Sequence, residues 1–481
     1  MLTLINTNRV QPPIAPVGLD YVAGAARQAG FEVELLDLCL ADDPRQAMTA
    51  YFARRQPELV GLTFRNVDDC FWPSATWFVP ELVDTVAALK TLTDAPIVLG
   101  GVGFSIFARQ LVQLSGADYG LRGDGEQAIV DLLRALRGRN GLEQVSGLVW
   151  RDGGQVRANP AAWPQPLVVP TSRDTVDNAA YFRRGGQIGV ETKRGCHRQC
   201  IYCADPLAKG LAARLRNPAE VADEMEALLE QGVDVLHLCD SEFNIPPDHA
   251  RLVCDEVVRR RLNQRLRWYT YMAITPFDED LAHRMAAAGC AGINFTSDAA
   301  DTAMLATYRQ SHGQADLARA VRLCRAEGMA VMLDLLLGGP GETAQSAAAT
   351  IHFIEHIGPD CAGAALGVRI YPETGMAALV AAEGPMERNA SLRRRYEGPI
   401  DLVQPTFYIS AAMGERPAQL VRDLIGGDPR FFEPMEDLLA ATGRAGPEGD
   451  HNYNANQALT DAIAAGARGA YWDILRRLRG V

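Results

Sequence analysis

The chain has 481 residues and a formal net charge of −12, with 48% hydrophobic and 22% charged residues. This balance is typical of a soluble globular protein and excludes a disordered chain. The acidic charge argues against nonspecific binding to nucleic acid or to an anionic membrane, because both need clustered lysine and arginine. No window approaches the ~18 uncharged apolar residues of a spanning helix. The start, MLTLINTNRV, predicts a strand and not a signal peptide, so we expect a cytoplasmic protein.

Strands and helices alternate along the first part of the chain. The segments LTLIN, FEVELLDL, PELVGLTF and APIVLGG predict buried strands, and helical patterns lie between them. Such alternation predicts an α/β fold with a parallel sheet covered by helices on both faces. Ligands of such sheets bind beyond the carboxyl ends of the strands. We assign residues 1–140 to this Rossmann-like domain.

Three further regions follow. Residues 141–187 are predicted to be a linker, in which SGLVWRDGGQVRANP forms a hairpin that turns at Asp152, Gly153 and Gly154. Strand–helix units resume over residues 188–385 without a glycine-rich opening motif, which predicts a (β/α) barrel, full or partial, with RIYPET (Arg369 to Thr374) closing it. Residues 386–481 are predicted to form a mainly helical domain.

Three of the ten cysteines are bunched on one loop, KRGCHRQCIYCADP, directly after the first barrel strand. A structural zinc would need a fourth cysteine or histidine, and His197 is badly placed because it adjoins Cys196. Three cysteines on one loop match a [4Fe-4S] cluster whose fourth iron stays open. Cys196, Cys200 and Cys203 are therefore predicted cluster ligands, with zinc binding or chance spacing as alternatives. Isolated cysteines elsewhere are predicted core residues.

This segment resembles the radical SAM enzymes. Their signature, Cys-x3-Cys-x-aromatic-x-Cys, occurs here as Cys196, Cys200, Tyr202 and Cys203. In that family the open iron binds the amino and carboxylate groups of S-adenosylmethionine, so the resemblance implies a [4Fe-4S] cluster and this cofactor. The preceding α/β region resembles the cobalamin-binding domain of one large subclass. The resemblance thus implies a Rossmann-like cobalamin-binding domain, a radical SAM partial barrel and a third cofactor, cobalamin.

Candidate cobalamin contacts lie at three predicted strand ends. Glycines there let a bulky ligand approach the backbone, and Ser105 can cap a helix or bond the ligand. Ordinary β–α turns and surface turns are the alternative explanation. The candidates are Thr63, Arg65, Asn66, Gly100, Gly101, Gly103, Phe104, Ser105, Gly123, Gly125 and Glu126.

Histidine is missing from the first 196 residues, so the Asp-x-His-x-x-Gly signature of many cobalamin domains is absent. If cobalamin binds, no histidine of this domain coordinates its cobalt. Arg65 lies where the lower face is expected and has no lone pair to donate. A surface position or an ion pair with Asp68 or Asp69 is the alternative. An arginine in place of the histidine resembles the tryptophan 2-C-methyltransferase branch of the family.

Candidate S-adenosylmethionine contacts lie at later strand ends, where capped helix starts or plain loops are the alternatives. Glu242 is expected to bond the cofactor's amino group or to approach the open iron. GGPGET, from Gly338, resembles the family's Gly-x-x-Gly-x-x-Glu-like stretch. Tyr371 either faces substrate or packs, and the loop Asn452-Tyr453-Asn454 either lines a substrate pocket or is a surface turn. The contact candidates are Tyr202, Asp240, Ser241, Glu242, Ser297, Asp298, Gly338 and Gly339, and the catalytic candidates are Arg65, Glu242 and Tyr371.

Two classes of enzyme follow from the resemblance. One is a methyltransferase that moves a methyl group from S-adenosylmethionine via methylcobalamin to a carbon of a small molecule, such as C2 of tryptophan. The other is a cyclase, oxidoreductase or rearrangement enzyme that uses the same cofactors without net methylation. A non-catalytic iron–sulfur protein is a third alternative. We expect a monomer with a small-molecule substrate, room for an external electron donor, and no nucleic-acid or membrane partner.

Overall fold

The computed structural model describes residues 1–139, 141–435, 453 and 456–481. These residues contain two seven-stranded sheets, a three-stranded sheet and a two-stranded ribbon. None of the helices in these ranges is long and apolar enough to cross a membrane. The α/β fold predicted from the alternation of strands and helices is confirmed.

The first sheet has the strand order β2-β1-β3-β4-β5-β6-β7, and its first five strands are parallel. Because β1 lies between β2 and β3, the direction of winding reverses there, and such a switch point opens a crevice at the carboxyl ends. The strands are β1 (Leu2–Asn6), β2 (Val33–Asp37), β3 (Leu59–Thr63), β4 (Ile97–Gly100), β5 (Tyr119–Leu121), β6 (Leu148–Asp152) and β7 (Gln155–Ala158). The helices are α1 (Val17–Gln28), α2 (Pro44–Phe52), α3 (Val79–Lys90), α4 (Val102–Ile106), α5 (Ala108–Ser115) and α6 (Gly125–Leu136).

The predicted hairpin is present and belongs to this sheet. β6 pairs antiparallel with both β5 and β7, so the hairpin extends the parallel sheet by two strands. Leu148 and Val149 on β6 are buried, whereas Arg151 and Asp152 near the turn are exposed. The apolar start of β6 explains why it covers the edge of β5 instead of forming a free ribbon.

The second sheet is an open parallel barrel with the order β19-β15-β14-β13-β12-β11-β8, in which β8 and β19 form the two edges. Its strands are β8 (Gly189–Val190), β11 (Val235–Leu238), β12 (Arg267–Ala273), β13 (Cys290–Asp298), β14 (Ala330–Leu337), β15 (Cys361–Leu366) and β19 (Phe431–Phe432). A ribbon before it consists of β9 (Lys193–Arg194) and β10 (Arg214–Leu215). The helices of this region are α7 (Asn178–Arg183), α8 (Asp205–Lys209), α9 (Pro218–Glu230), α10 (Pro247–Arg259), α11 (Glu279–Ala287), α12 (Thr302–Tyr308), α13 (Gln314–Ala326) and α14 (Ala344–Ile357).

RIYPET does not close the barrel, so that prediction is wrong. The chain turns away from β15 at Gly367, whose φ of +98° suits glycine. Arg369 then enters a three-stranded antiparallel sheet of β16 (Val368–Arg369), β17 (Leu392–Arg394) and β18 (Thr406–Tyr408). The last barrel strand is instead β19, which pairs parallel with β15 from much later in the chain.

The chain beyond RIYPET contributes helices as well as β17, β18 and β19. Its helices are Gly375–Ala382, Pro417–Ile425, Gln457–Ala464 and Tyr471–Arg479. The last of these closes the amino end of the barrel. Trp472 lies edge-on to the Tyr269 ring at 6.0 Å, and the Tyr269 hydroxyl donates to Asp473 at 2.9 Å.

The two large sheets share one hydrophobic core, which runs from Leu2 and Leu19 to Leu228 and Leu281. A fully buried ionic network crosses the same boundary. Arg173 pairs with Asp20 of α1 and with Glu224 of α9, each at 2.7 Å. Because one guanidinium satisfies carboxylates from both sides, it ties the first sheet's helices to the barrel's.

Breaking this network should be costly. Arg173→Met would leave the buried Asp20 carboxylate without a cation and Glu224 with Arg216 alone, so we expect the free energy of unfolding to fall by about 3–5 kcal/mol. Arg137→Met is the matched control, because Arg137 pairs with Glu58 at the surface, where an ion pair adds little stability, so this variant should lose much less. Urea unfolding of both variants checks this. Equal losses of unfolding free energy in the two variants would show that the buried Arg173 network does not stabilise the fold.

Candidate active site

The three bunched cysteines lie on the loop between β9 and α8. Gly195 opens this loop with a φ of +84°, and a Cβ there would meet the carbonyl oxygen of Ala212 at 2.1 Å. Cys196 is buried, and Cys200 and Cys203 are half-buried. Burial raises the pKa of all three thiols. A metal centre would have to bind them as thiolates.

Asp240 anchors the strand that leads into this loop. Its carboxylate accepts hydrogen bonds from the backbone N–H of Thr192 at 2.8 Å and of Lys193 at 3.2 Å. The side chain of Thr192 donates to the same carboxylate. Asp240 therefore fixes the cysteine loop against the carboxyl end of β11.

Glu242 is the most unusual carboxylate near the cysteines. Its Oε1 accepts a hydrogen bond from Thr296 Oγ1 at 2.7 Å, but its buried Oε2 has no partner among the described residues. Burial raises the pKa of Glu242 to about 7, and the nearby Arg198 and Lys193 oppose that shift. An unsatisfied buried oxygen of this kind is the expected mark of an absent ligand.

A second polar group connects Cys200 to the barrel. Tyr202 donates to the Asp298 carboxylate at 2.7 Å, and Gln310 Nε2 donates to that carboxylate and to Cys200 Sγ, the latter at 3.3 Å. Burial raises the pKa of Asp298 to about 6. No local signal in the sequence marks Gln310, because it lies on a loop after α12, a seven-residue helix that the sequence pattern does not predict.

The remaining candidates at this end of the barrel hold loops together. Ser241 donates to Asp205, and the buried Ser297 donates to the backbone carbonyl of Asp334 at 2.7 Å. In GGPGET, the N–H groups of Gly338 and Gly339 both donate to Glu342. Glu342 keeps a buried Oε1 without a partner among the described residues, and burial raises its pKa to about 7.

Gly339 is required sterically. A Cβ at this position would lie 2.1 Å from the Tyr308 hydroxyl. That hydroxyl donates to the carbonyl of Leu336 at 2.7 Å, and the Tyr308 ring lies edge-on to Tyr202 at 5.7 Å. The glycine loop is thus packed indirectly against the cysteine loop.

A cavity of about 320 Å³ separates the first sheet from the barrel. The first sheet lines it with the ends of β1, β3 and β4, and a Cβ at Gly100 would meet nothing within 4 Å. The opposite wall comes from the barrel and includes Glu191, His237, Cys239 and Tyr271. The predicted cobalamin contacts that line the cavity are Thr63, Arg65, Gly100, Gly101, Ser105, Gly123, Gly125 and Glu126.

Three other predicted contacts are not among the lining residues. Phe104 is fully buried under Gly120, where a Cβ would lie 2.0 Å from its ring. Gly103 donates its N–H to the carbonyl of Arg65 at 2.8 Å, and Asn66 follows in the same loop. Gly103 therefore lets α4 pack against the loop after β3.

The carboxylates at the cavity rim are neutralised by arginine. Arg194 pairs with Glu126 and with Glu191, each at 2.7 Å. Arg214 pairs with Asp124. The rim thus offers few free charges, and most of the lining is apolar or neutral polar.

Arg65 is a charged lining residue whose charge is not neutralised by an ion pair among the described residues. Its side chain is accessible from the cavity and makes no hydrogen bond or ion pair within the described part of the chain. The alternative partner Asp68 pairs with Arg369 at 2.8 Å instead. Desolvation by the surrounding protein lowers the pKa of Arg65, and its neighbours include Tyr271 and Cys239.

The sequence did not place a histidine at this cavity, but the barrel supplies one. His237 stacks on Tyr269 with ring centroids 5.6 Å apart. Burial lowers the pKa of His237 to about 4, so its imidazole is neutral at pH 7. No local signal predicts this, because His237 reaches the cavity only through the pairing of β11 with β8.

Tyr371 does not line this cavity. Its hydroxyl lies 3.0 Å from Cys70 Sγ, and the Arg369 guanidinium lies 4.8 Å above its ring. Burial raises its pKa well above the ordinary value. Of the loop Asn452-Tyr453-Asn454, only Tyr453 is described, and its ring lies 5.6 Å from that of Tyr471.

Comparison with known proteins identifies both halves of the chain. Residues 190–354 match the Radical SAM superfamily, and residues 4–133 match the B12 binding domain family. The chain is 31% identical to tryptophan 2-C-methyltransferase of Streptomyces laurentii, over 98% of this chain and 95% of that protein. The chain belongs to the cobalamin-dependent radical SAM methyltransferases. It is therefore an enzyme.

A solved structure of this family agrees over the whole chain. It is the radical S-adenosylmethionine methyltransferase TsrM of Kitasatospora setae with tryptophan substrate and a S-adenosylmethionine analog. The TM-score is 0.91 at 32% identity, covering 100% of this chain and 97% of that one. A more distant relative, the anaerobic magnesium-protoporphyrin IX monomethyl ester cyclase of Cereibacter sphaeroides, is 26% identical over 72% of this chain and 57% of that protein.

The residues present fit the cofactors of the family. Three thiols on one loop and the unsatisfied Glu242 oxygen provide a donor set of three sulfurs and one carboxylate for a four-iron cluster. The glycine-rimmed cavity lies at the carboxyl ends of the first sheet, where such sheets bind cofactors, and its neutralised rim suits a ligand of little net charge.

Gln310 should raise the reduction potential of the cluster. An N–H donor to a cluster sulfur stabilises the reduced, more negative state, and Gln310 is placed to donate to Cys200. We expect Gln310→Leu to shift the cluster's reduction potential to a more negative value, measured by a redox titration followed by electron paramagnetic resonance. Gln127→Leu, at an exposed glutamine that bonds Asp131, is the control. An unchanged potential in Gln310→Leu would contradict this role.

Proposed function

We propose that the enzyme transfers a methyl group from S-adenosylmethionine, through cobalamin, to C2 of tryptophan. The single observation that carries the proposal is Arg65, which is unpaired among the described residues and faces the cavity from a domain without histidine. The similarity to tryptophan 2-C-methyltransferase over nearly the full length supports the same substrate.

Cys196, Cys200 and Cys203 are proposed to hold three irons of the cluster. Glu242 is proposed to direct its unsatisfied oxygen at the fourth iron or at the amino group of S-adenosylmethionine. The cluster would supply a site for electron transfer and for binding S-adenosylmethionine. Thr296 holds Glu242 in place, since it donates to the other carboxylate oxygen.

The rest of the S-adenosylmethionine site is proposed to lie at the carboxyl ends of the barrel strands. Asp240 and Ser241 would shape the loop beside the cluster, and Ser297 and Asp298 would meet the ribose side. Gly338 and Gly339 would face the adenine, with Glu342 fixing their backbone.

Cobalamin would supply a cobalt that takes the methyl group from S-adenosylmethionine and gives it to the substrate. Thr63, Gly100, Gly101, Ser105, Gly123 and Gly125 are proposed to surround it. Arg65 would face the cofactor from the first sheet, and its guanidinium has no electron pair to donate to a metal and would exclude water from that side. Without such a donor, the bound cofactor would release a methyl group more easily.

Product analysis with methyl-labelled S-adenosylmethionine tests this function. The reconstituted enzyme should convert L-tryptophan under anaerobic conditions to a product that carries the label at C2, and the triple variant of the cluster cysteines should not. Release of 5′-deoxyadenosine together with an unlabelled product would instead support a cyclase, oxidoreductase or rearrangement enzyme.

A further inference from the structure

The barrel contains an internal space on one face of its strands. Along β12 to β15, the side chains with accessible surface beyond the strand starts are Tyr271, Thr296, Asp334, Leu336 and Ala365. The residues between them, such as Met272, Phe295 and Leu335, are buried in the core under the helices. Side chains alternate between the two faces of a strand, so the accessible set points into the barrel.

A buried polar pair lies at this inner face. Asn294 is 3% exposed, and its Nδ2 donates to Asp334 Oδ2 at 2.8 Å. Its Oδ1 has no hydrogen-bond partner among the described residues. The carboxylate fixes the orientation of this amide, because a flipped amide would place its oxygen against Asp334. A buried acceptor is thus left unsatisfied beside a carboxylate.

The pair lies between the two cofactor sites. Asn294 is two residues before Thr296, which bonds Glu242 next to the cluster loop. It is in register with Tyr271 on β12, which faces Arg65 across the cavity. The negative charge of Asp334 contributes to raising the pKa of both Tyr271 and Asp298, as expected if it faces both ends of this space.

We propose that Asn294 and Asp334 bind the α-ammonium group of an amino-acid substrate inside the barrel. Two acceptors, one of them charged, select a cationic N–H donor and reject a carboxylate. Tyr271, Leu336 and Ala365 would form the wall for its side chain. The identity of that amino acid rests on the proposed function, whereas the selection for an ammonium group does not.

Binding of three indole compounds to the anaerobic holoenzyme tests this inference. The compounds are L-tryptophan, tryptamine, which lacks the carboxylate, and indole-3-propionate, which lacks the ammonium. Asp334→Asn should weaken the binding of tryptophan and tryptamine by at least about tenfold. It should weaken the binding of indole-3-propionate by less than about twofold. Asn294→Leu should give the same pattern. Asp423→Asn, at an exposed carboxylate, is the control and should change none of them.

The ratio of the affinities for the three compounds distinguishes a loss of ammonium recognition from a loss of structure. Iron and cobalamin contents of the variants show whether the enzyme is still folded. Equal weakening of all three compounds, or no change in any of them, would overturn the inference. If the wild type binds tryptamine but not tryptophan, the tryptophan substrate is wrong and the ammonium site stands. If the wild type binds neither tryptamine nor tryptophan, the tryptophan substrate and the ammonium site are both wrong.

Discussion

Alanine at any one of Cys196, Cys200 and Cys203 should abolish methyl transfer. Each thiolate would hold a different iron, so the loss of one leaves an incomplete cluster that cannot support the cofactor. Anaerobic reconstitution of the wild type should give about four irons and four sulfides per chain. Iron content, visible absorbance and product formation measure the effect together.

Cys254→Ala is the control for this series. Cys254 is a buried thiol of α10 that packs in the shared core, away from the cysteine loop. Its loss should leave the iron content and the activity close to those of the wild type. If the triple variant of the loop cysteines kept its iron and brown absorbance, the cluster assignment would be wrong.

Arg65→Ala should slow methyl transfer far more than it weakens cobalamin binding. The other lining residues still hold the corrin, but water can now approach the lower face of the cobalt. We expect kcat to fall by about two to three orders of magnitude, as when an active site loses one preorganised electrostatic group. Stopped-flow spectroscopy of the loaded enzyme and equilibrium binding of cobalamin measure the two effects separately.

Two further variants test the geometry at Arg65. Arg65→Lys keeps the charge but loses the planar guanidinium, so partial activity is expected. Arg65→His should shift the cobalt spectrum towards a nitrogen-ligated form. Unchanged spectrum and turnover in Arg65→Ala would show that Arg65 has no role below the cobalt.

The wild-type Co(II) form should show no nitrogen superhyperfine splitting in electron paramagnetic resonance. Arg65 offers no lone pair, and the first 196 residues contain no histidine. His237 is the one imidazole among the described cavity-lining residues. A splitting that disappears in His237→Ala would identify it as the axial donor and contradict the geometry proposed for Arg65.

Most of the fold could be predicted because its elements carry local signals. The alternation of apolar strands and capped helices is visible within short windows, as at β3 and α9 (Asn217 caps the latter). The last barrel strand, β19, could not be predicted in this way. Phe431 and Phe432 form a two-residue strand without periodicity, and only the pairing with β15 defines it.

The same distinction applies to the site. The cysteine spacing is local, so the sequence alone singles out the loop that is proposed to hold the cluster. Asn294 and Asp334 come together only through the register of β13 and β14, and Gln310 reaches Cys200 from a distant loop. Gly103 and Gly339 were predicted as ligand contacts, but close packing requires glycine at both positions. Gly103 packs against the backbone of Arg65, and Gly339 packs against the side chain of Tyr308.

A single turnover without S-adenosylmethionine tests whether the methyl group reaches tryptophan through cobalamin. The cluster-containing enzyme is loaded with methylcobalamin that carries a labelled methyl group and is then mixed with L-tryptophan under anaerobic conditions. We expect labelled 2-methyltryptophan in an amount that approaches the amount of bound cobalamin. Absence of labelled product, from enzyme that still methylates tryptophan when S-adenosylmethionine is present, would show that the methyl group does not pass through cobalamin.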